Sequence, residues 1–160
     1  MANNADNFEH LMREHIRSLS AYAHSISPTR DIAEDAIQET FIRAWRYSES
    51  YRGDAPVLSW LVAICRRVVI DLVQYGHRHQ HQELTEETPA LTDPFEFSAL
   101  TDLVGALPLA QREVLVLCAI LGFDYDTAAD VLSIPVGTVR SRLSRARESL
   151  SVALQQATAV

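Results

Sequence analysis

Four arginines, Arg140, Arg142, Arg145 and Arg147, fall within eight positions that hold no acid. Guanidinium groups at that density suit phosphate oxygens, and each can offer a two-pronged donor pair to the O6 and N7 acceptors of guanine. On a helix, Arg140, Ser141, Ser144 and Arg145 share a face at i, i+1, i+4 and i+5, which makes them the candidate base-reading set. Arg142 and Arg147 lie off that face, where phosphate contact or packing suits them better. Thr138 stands near the start of the same helix, where a hydroxyl and backbone N–H groups can hold a phosphate. A second stripe is acidic: Asp35, Gln38, Glu39 and Ile42 recur at i, i+3, i+4 and i+7. Solvation and an interface both fit that stripe.

Other chemistry is sparse. The alternation His77-x-His79-x-His81 could reach a metal if extended, but no fourth ligand is near, and a solvated helix end or linker is the simpler reading. Cys65 and Cys118 lack CxxC spacing, and each sits in an apolar helical run as a reduced buried thiol would. Carboxylates and histidines are scattered, without a nucleophile, base and orienting group in register. The expectation is a non-enzymatic protein with no cofactor and no metal.

The elements that must carry these residues are helical. Phe8, Leu11, Met12, His15, Ile16, Leu19 and Tyr22 mark a first helix, broken at Ser27-Pro28-Thr29. A second is expected from Asp31 as N-cap with Glu34 three positions on, and with Phe41 and Trp45 in the core. After the turn cluster Tyr51 to Pro56, a third helix has Leu58, Leu61, Ile64, Cys65, Val68, Val69 and Leu72 on one side, with Trp60 also expected in the core. From His77 to about Phe97 the periodicity is lost among polar and acidic residues with Pro89 and Pro94, as in a linker. Beyond it, Leu100 to Leu107 and Arg112 to Leu121 form two helices. Tyr125–Leu132, the break Ser133-Ile134-Pro135-Val136 and a helix from Gly137 to Leu150 then follow. A short helix, a tight break and a longer arginine-bearing helix make a helix-turn-helix pattern. Val131, Ile134, Val139, Leu143 and Leu150 supply its core.

Charge distribution supports this division. The chain has 160 residues and a net charge of −7, with fourteen basic residues, all arginine. Residues 1–82 carry nine arginines against ten acids, 83–102 six acids and no arginine, and 103–160 five of each. The excess acid is therefore local, and the basic stripe near the C-terminus keeps its own field. No apolar run approaches the roughly 20 residues that span a bilayer, and the N-terminus has no signal-peptide pattern, so a cytoplasmic protein is expected.

Two motifs in order carry a family resemblance. The run from Asp31 to Trp45 (DIAEDAIQETFIRAW) resembles the polymerase-docking helix of extracytoplasmic-function sigma factors of the sigma-70 family, and the run from Pro135 to Glu148 (PVGTVRSRLSRARE) resembles their recognition helix. Tyr51-Arg52-Gly53-Asp54 with Trp60-Leu61, and Leu107-Pro108-x-x-Gln111-Arg112-Glu113-Val114, resemble further family segments. The resemblance covers about residues 8–150.

It implies an all-α fold of two small helical domains joined by a flexible linker. These are sigma domain 2 at 8–80, an acidic linker at 81–97, and sigma domain 4, a helix-turn-helix, at 98–152. It implies core RNA polymerase as partner, through the β′ coiled-coil and the β flap, together with promoter DNA and an anti-sigma factor. On this pattern Asp35, Gln38, Glu39 and Ile42 meet the polymerase. Arg52, Gly53, Asp54 and Ala55 hold a flipped base of the −10 element, with Arg66 and Arg67 on the strand backbone. Thr138, Arg140, Ser141, Ser144, Arg145 and Arg147 meet the −35 element. Many members have Arg-Asn where this chain has Arg66-Arg67, and the usual basic run after that helix is replaced by Tyr75-Gly76-His77-Arg78-His79. The rivals from other classes are a free-standing dimeric helix-turn-helix regulator and an enzyme using the histidine run.

Overall fold

Alanine and β-branched residues at helical spacing set the packing of the N-terminal part of the chain. The computed structural model describes residues 4–79 and 99–159, and all regular structure among them is helical. The chain divides into two compact units, Met1–Ala90 and Leu91–Val160. The expected linker at 81–97 lies outside the described residues.

In the first unit, α1 (Asn4–Ile26), α2 (Arg30–Arg46) and α3 (Val57–His79) pack pairwise on one another. Helix α2 contributes Ala33, Ala36, Thr40, Phe41 and Ala44 to the core, α1 contributes Leu19, Tyr22, Ala23 and Ile26, and α3 contributes Leu61, Val62, Cys65, Val68 and Val69. Alanines at 33, 36 and 44 let the neighbouring helices approach α2 closely, and each fully buried Leu or Val adds about 1.5–3 kcal/mol of hydrophobic stabilisation. Thr40 is buried without cost to its hydroxyl, which donates to the Ala36 carbonyl at 2.6 Å.

Several sequence expectations shift here. The cap of α2 is Thr29, not Asp31: its Oγ1 accepts from the Ile32 N–H at 3.3 Å, and Asp31 is already inside the first turn. There its charge still suits the positive end of the helix dipole. Helix α3 runs on through His77 to His79, where periodicity alone placed the linker. The His79 ring stacks on Tyr75 at 4.0 Å, with Nδ1 2.9 Å from the Tyr75 carbonyl oxygen. Trp45 is not a core residue; it is 43% exposed and packs edge-to-face with Phe8, with ring centroids 5.0 Å apart. Trp60 is half-buried and packs on Tyr51 at 4.9 Å.

The second unit contains α4 (Ala99–Gly105), α5 (Leu109–Leu115), α6 (Tyr125–Leu132) and α7 (Val136–Thr158). The apolar run after Arg112 is not one α-helix: α5 passes into a π-helical turn over Val116–Ile120, and the chain turns away at Gly122, whose φ is +73°. Arg112 ties this entry together by donating to the Gly105 and Leu107 carbonyls at 2.7 and 2.9 Å, which satisfies the end of α4. The core gathers Leu107, Val114, Val116, Leu117, Ala128, Leu132, Val139, Leu143 and Ala146. Val131 is buried with them, whereas Ile134 and Leu150 are half-buried. Helix α7 continues two turns beyond the expected end at Leu150.

Candidate polymerase-docking and DNA-binding faces

The acidic stripe is positioned by what lies behind it. With Ala33, Ala36, Thr40, Phe41 and Ala44 buried against α1 and α3, Asp35, Gln38 and Ile42 must face outward. Asp35 and Gln38 are exposed, and Ile42 is 46% exposed, an apolar side chain in an acidic rim. Glu39 is half-buried and held by Arg43, whose Nε donates to it at 2.7 Å. Arg43 also reaches Asp71 of α3 at 3.4 Å. The hydrogen bond to Glu39 is the main cause that raises the Arg43 pKa, with the one to Asp71 adding to it against partial burial. The stripe is thus braced from α3 through a residue that sequence reading left unassigned. Trp45 follows Ile42 on the flank of the same face, so the acids, Ile42 and an indole share one accessible surface.

The turn cluster between α2 and α3 forms a second exposed feature. A short 3₁₀ turn, Ser48–Ser50, leads into it. Arg52, Gly53, Asp54 and Ala55 are all exposed, and the Tyr51 hydroxyl donates to the Ala55 carbonyl, closing the loop on itself. Gly53 takes φ +76°, the left-handed conformation in which a Cβ is unfavourable. Ser59 Oγ donates to the Pro56 carbonyl at 2.7 Å and fixes the start of α3. Farther along that helix Arg67 is exposed, whereas Arg66 is half-buried and has a partner of its own.

In the second unit the helix-turn-helix is built from caps. Asp124 Oδ1 accepts from the Thr127 N–H at 2.7 Å and starts α6, an interaction that holds the Asp124 carboxyl below its usual pKa. Ser133, at φ +54°, ends α6, and the Ile134 N–H returns to the Ala129 carbonyl at 3.1 Å. Pro135 then opens α7, accepting from the Thr138 N–H at 2.9 Å. With Val139, Leu143 and Ala146 buried, Arg140, Ser141, Ser144, Arg145 and Arg147 are exposed, Thr138 and Arg142 half-buried. Ser141 Oγ donates to the Thr138 carbonyl at 3.1 Å. The Arg140 guanidinium stands over the ring of Tyr125, 5.9 Å from its centroid. Tyr125 belongs to the face but went unnoticed in the sequence, because fifteen positions separate it from Arg140. Asp124, three residues before Thr127, carried a legible N-cap signal.

Burial pushes the Cys65 thiol up to about 11, against a hydrogen bond with Thr40. Cys118, half-buried, is raised mainly by burial, while the positive charge of Arg147 acts in the other direction. Among the described residues no cluster of three His, Cys, Asp or Glu side chains could hold a metal ion; His81 lies outside them. No helix there is long and apolar enough to cross a membrane.

Comparison with known proteins places both units. The Sigma-70 region 2 family model matches residues 11–80, and the Sigma-70, region 4 model matches residues 97–150. The extracytoplasmic-function (ECF) RNA polymerase sigma factor EcfG of Rhodopseudomonas palustris is 33% identical over 149 residues, covering 87% of this chain and 80% of that protein. Two solved complexes are similar in structure. The sigma factor RpoE of Bartonella quintana, bound to the anti-sigma factor NepR, matches with a TM-score of 0.76 at 28% identity, covering 93% of this chain and 97% of its own. CnrH, bound to the cytosolic domain of CnrY, matches with a TM-score of 0.71 at 29% identity, covering 97% of this chain and 91% of its own.

Proposed function

The chain belongs to the sigma-70 family of RNA polymerase sigma factors, of the extracytoplasmic-function type, and we propose how its residues divide the work of that family. Sigma factors are non-enzymatic: they bind core RNA polymerase and direct promoter-specific initiation by recognising the −35 and −10 elements. The observation that carries the assignment is the match of both regions, in order, to two helical units with outward faces of different character.

The unit at 8–80 docks on polymerase through Asp35, Gln38, Glu39 and Ile42. An acidic rim around one exposed apolar side chain suits a basic coiled-coil such as that of β′, where charge guides approach and Ile42 gains from desolvation. The self-closed loop Arg52-Gly53-Asp54-Ala55 receives an unpaired base of the −10 element. Capture of an unstacked base stabilises the melted strand, and Arg66 and Arg67 run along its backbone. The unit at 98–152 binds the −35 element. Arg140, Ser141, Ser144 and Arg145 face the base edges, and Thr138 and Arg147 face phosphates. The segment 81–97 serves as the tether. Joined to one polymerase, neither unit needs to bind DNA tightly alone, because each raises the effective concentration of the other.

One relative of known structure, the Bartonella quintana sigma factor, is bound to an anti-sigma factor, and we assign this chain the same control and a cytoplasmic location. The test is run-off transcription with core polymerase freed of every other sigma factor, on a library of promoter fragments. Transcripts that depend on this chain and start at common −35 and −10 elements are expected. Operator binding as a dimer with no transcript would instead identify a free-standing regulator.

A further inference from the structure

Tyr125 is the side chain whose placement the family assignment leaves unused. It is the first residue of α6, and its backbone is fixed by the Asp124 cap one position before it. Its half-buried ring lies under Arg140, the first arginine of the base-reading face on α7. A free arginine side chain carries substantial rotamer entropy, which must be surrendered when its fork engages one base. Building on the −35 reading above, we propose that Tyr125 is a positioning residue that pre-orients Arg140 for base readout.

The chemistry favours this division. A cation held over an aromatic face is attracted through the ring quadrupole, which uses none of the N–H donors. The guanidinium donors therefore remain for the two acceptors of a guanine edge. No ion pair to Arg140 is present among the described residues, so the aromatic contact is what restrains it. Ser141, next to it, is anchored by its own bond to the Thr138 carbonyl. The readout face is thus partly ordered before DNA arrives, and ordering of Arg140 is shared between the two helices of the motif. Loss of the ring should weaken binding to the preferred base more than to the other three, because only the two-pronged contact needs the fork held.

The experiment uses the full chain with core polymerase and a promoter library randomised across the −35 element. Tyr125→Phe, Tyr125→Leu, Tyr125→Met, Arg140→Ala and the double variant Tyr125→Leu/Arg140→Ala are compared with the parent, each checked for folding by circular dichroism. Tyr125→Phe keeps the ring and should keep the base profile. Tyr125→Leu and Tyr125→Met should lose about two- to five-fold of selectivity, confined to the position that Arg140→Ala also relaxes. The double variant should lose no more than Arg140→Ala alone. If the Leu and Met variants weaken all sequences equally while Arg140→Ala relaxes one position, the ring has a purely structural part and the inference falls. If Arg140→Ala leaves the profile unchanged, the assignment of the −35 face fails first and takes the inference with it.

Discussion

Reversing the charges at Asp35 and Glu39 should uncouple the protein from polymerase while leaving it folded. In the Asp35→Arg/Glu39→Arg variant, two attractions to a basic partner, one from exposed Asp35 and one from half-buried Glu39, become repulsions. An exposed ion pair contributes about 0.2–1 kcal/mol, so reversal changes each site by about twice that, and the pair by about 1–4 kcal/mol. The expected weakening is roughly five-fold to 800-fold in Kd. The folding cost is smaller and falls on one residue. Glu39 gives up its 2.7 Å pair with Arg43, an i, i+4 contact contributing about 0.3–0.5 kcal/mol, and an arginine there adds repulsion of similar size. At about 4–8 °C per kcal/mol for a domain of this size, Tm should fall by roughly 2–8 °C. Single variants should separate the effects: Asp35→Arg should affect binding alone, whereas Glu39→Arg should affect binding and Tm together. Fluorescence titration against core polymerase, at low and high salt, measures the first quantity, and calorimetry the second. The loss should shrink as salt rises, since screening weakens both attraction and repulsion. An unchanged Kd, or a Tm drop well beyond 10 °C, would refute the reasoning, because the stripe would then be either unused or part of the core.

Three further outcomes are expected. Arg145→Ala should relax base selectivity at one −35 position, whereas Arg147→Ala should weaken all promoter sequences alike, as read by competitive binding to the same library. Gly53→Ala should cost on the order of 1 kcal/mol in thermal unfolding, from backbone conformation alone, because nothing lies within 4 Å of the added Cβ. The same variant should reduce strand opening in permanganate footprinting. Finally, both thiols have raised pKa values, so the neutral, unreactive form persists to higher pH than in a free cysteine. With single Cys→Ser variants, Cys118 should react with an aromatic disulfide reagent only as pH rises above the ordinary thiol range, and Cys65 only upon unfolding. Equal rates for the two native thiols would contradict their burial.

Local sequence determined a large part of this protein. Helical spacing of apolar residues gave the helices around both faces, and the exposed stripe Asp35–Ile42 followed from one helix seen alone, because buried and outward positions on a helix alternate with a fixed period. The arginine face of α7 was legible for the same reason, and so was the break before it, since Pro135 cannot continue the helix that ends at Leu132. What the sequence left open depends on neighbours. Periodicity put Phe41 and Trp45 on one apolar side, yet Phe41 is 5% exposed whereas Trp45, packed edge-to-face with Phe8 of α1, is 43% exposed. Thr29 displaced Asp31 as the cap of α2, a choice made by where the preceding loop directs each backbone and not by side-chain preference, which favours both. The brace from Arg43 to Asp71 and the placement of Arg140 over the Tyr125 ring join residues twenty-eight and fifteen positions apart. No local pattern encodes such pairs. They exist only once α2 has packed on α3 and α6 has packed on α7, so the tertiary structure alone decided how each working face is held.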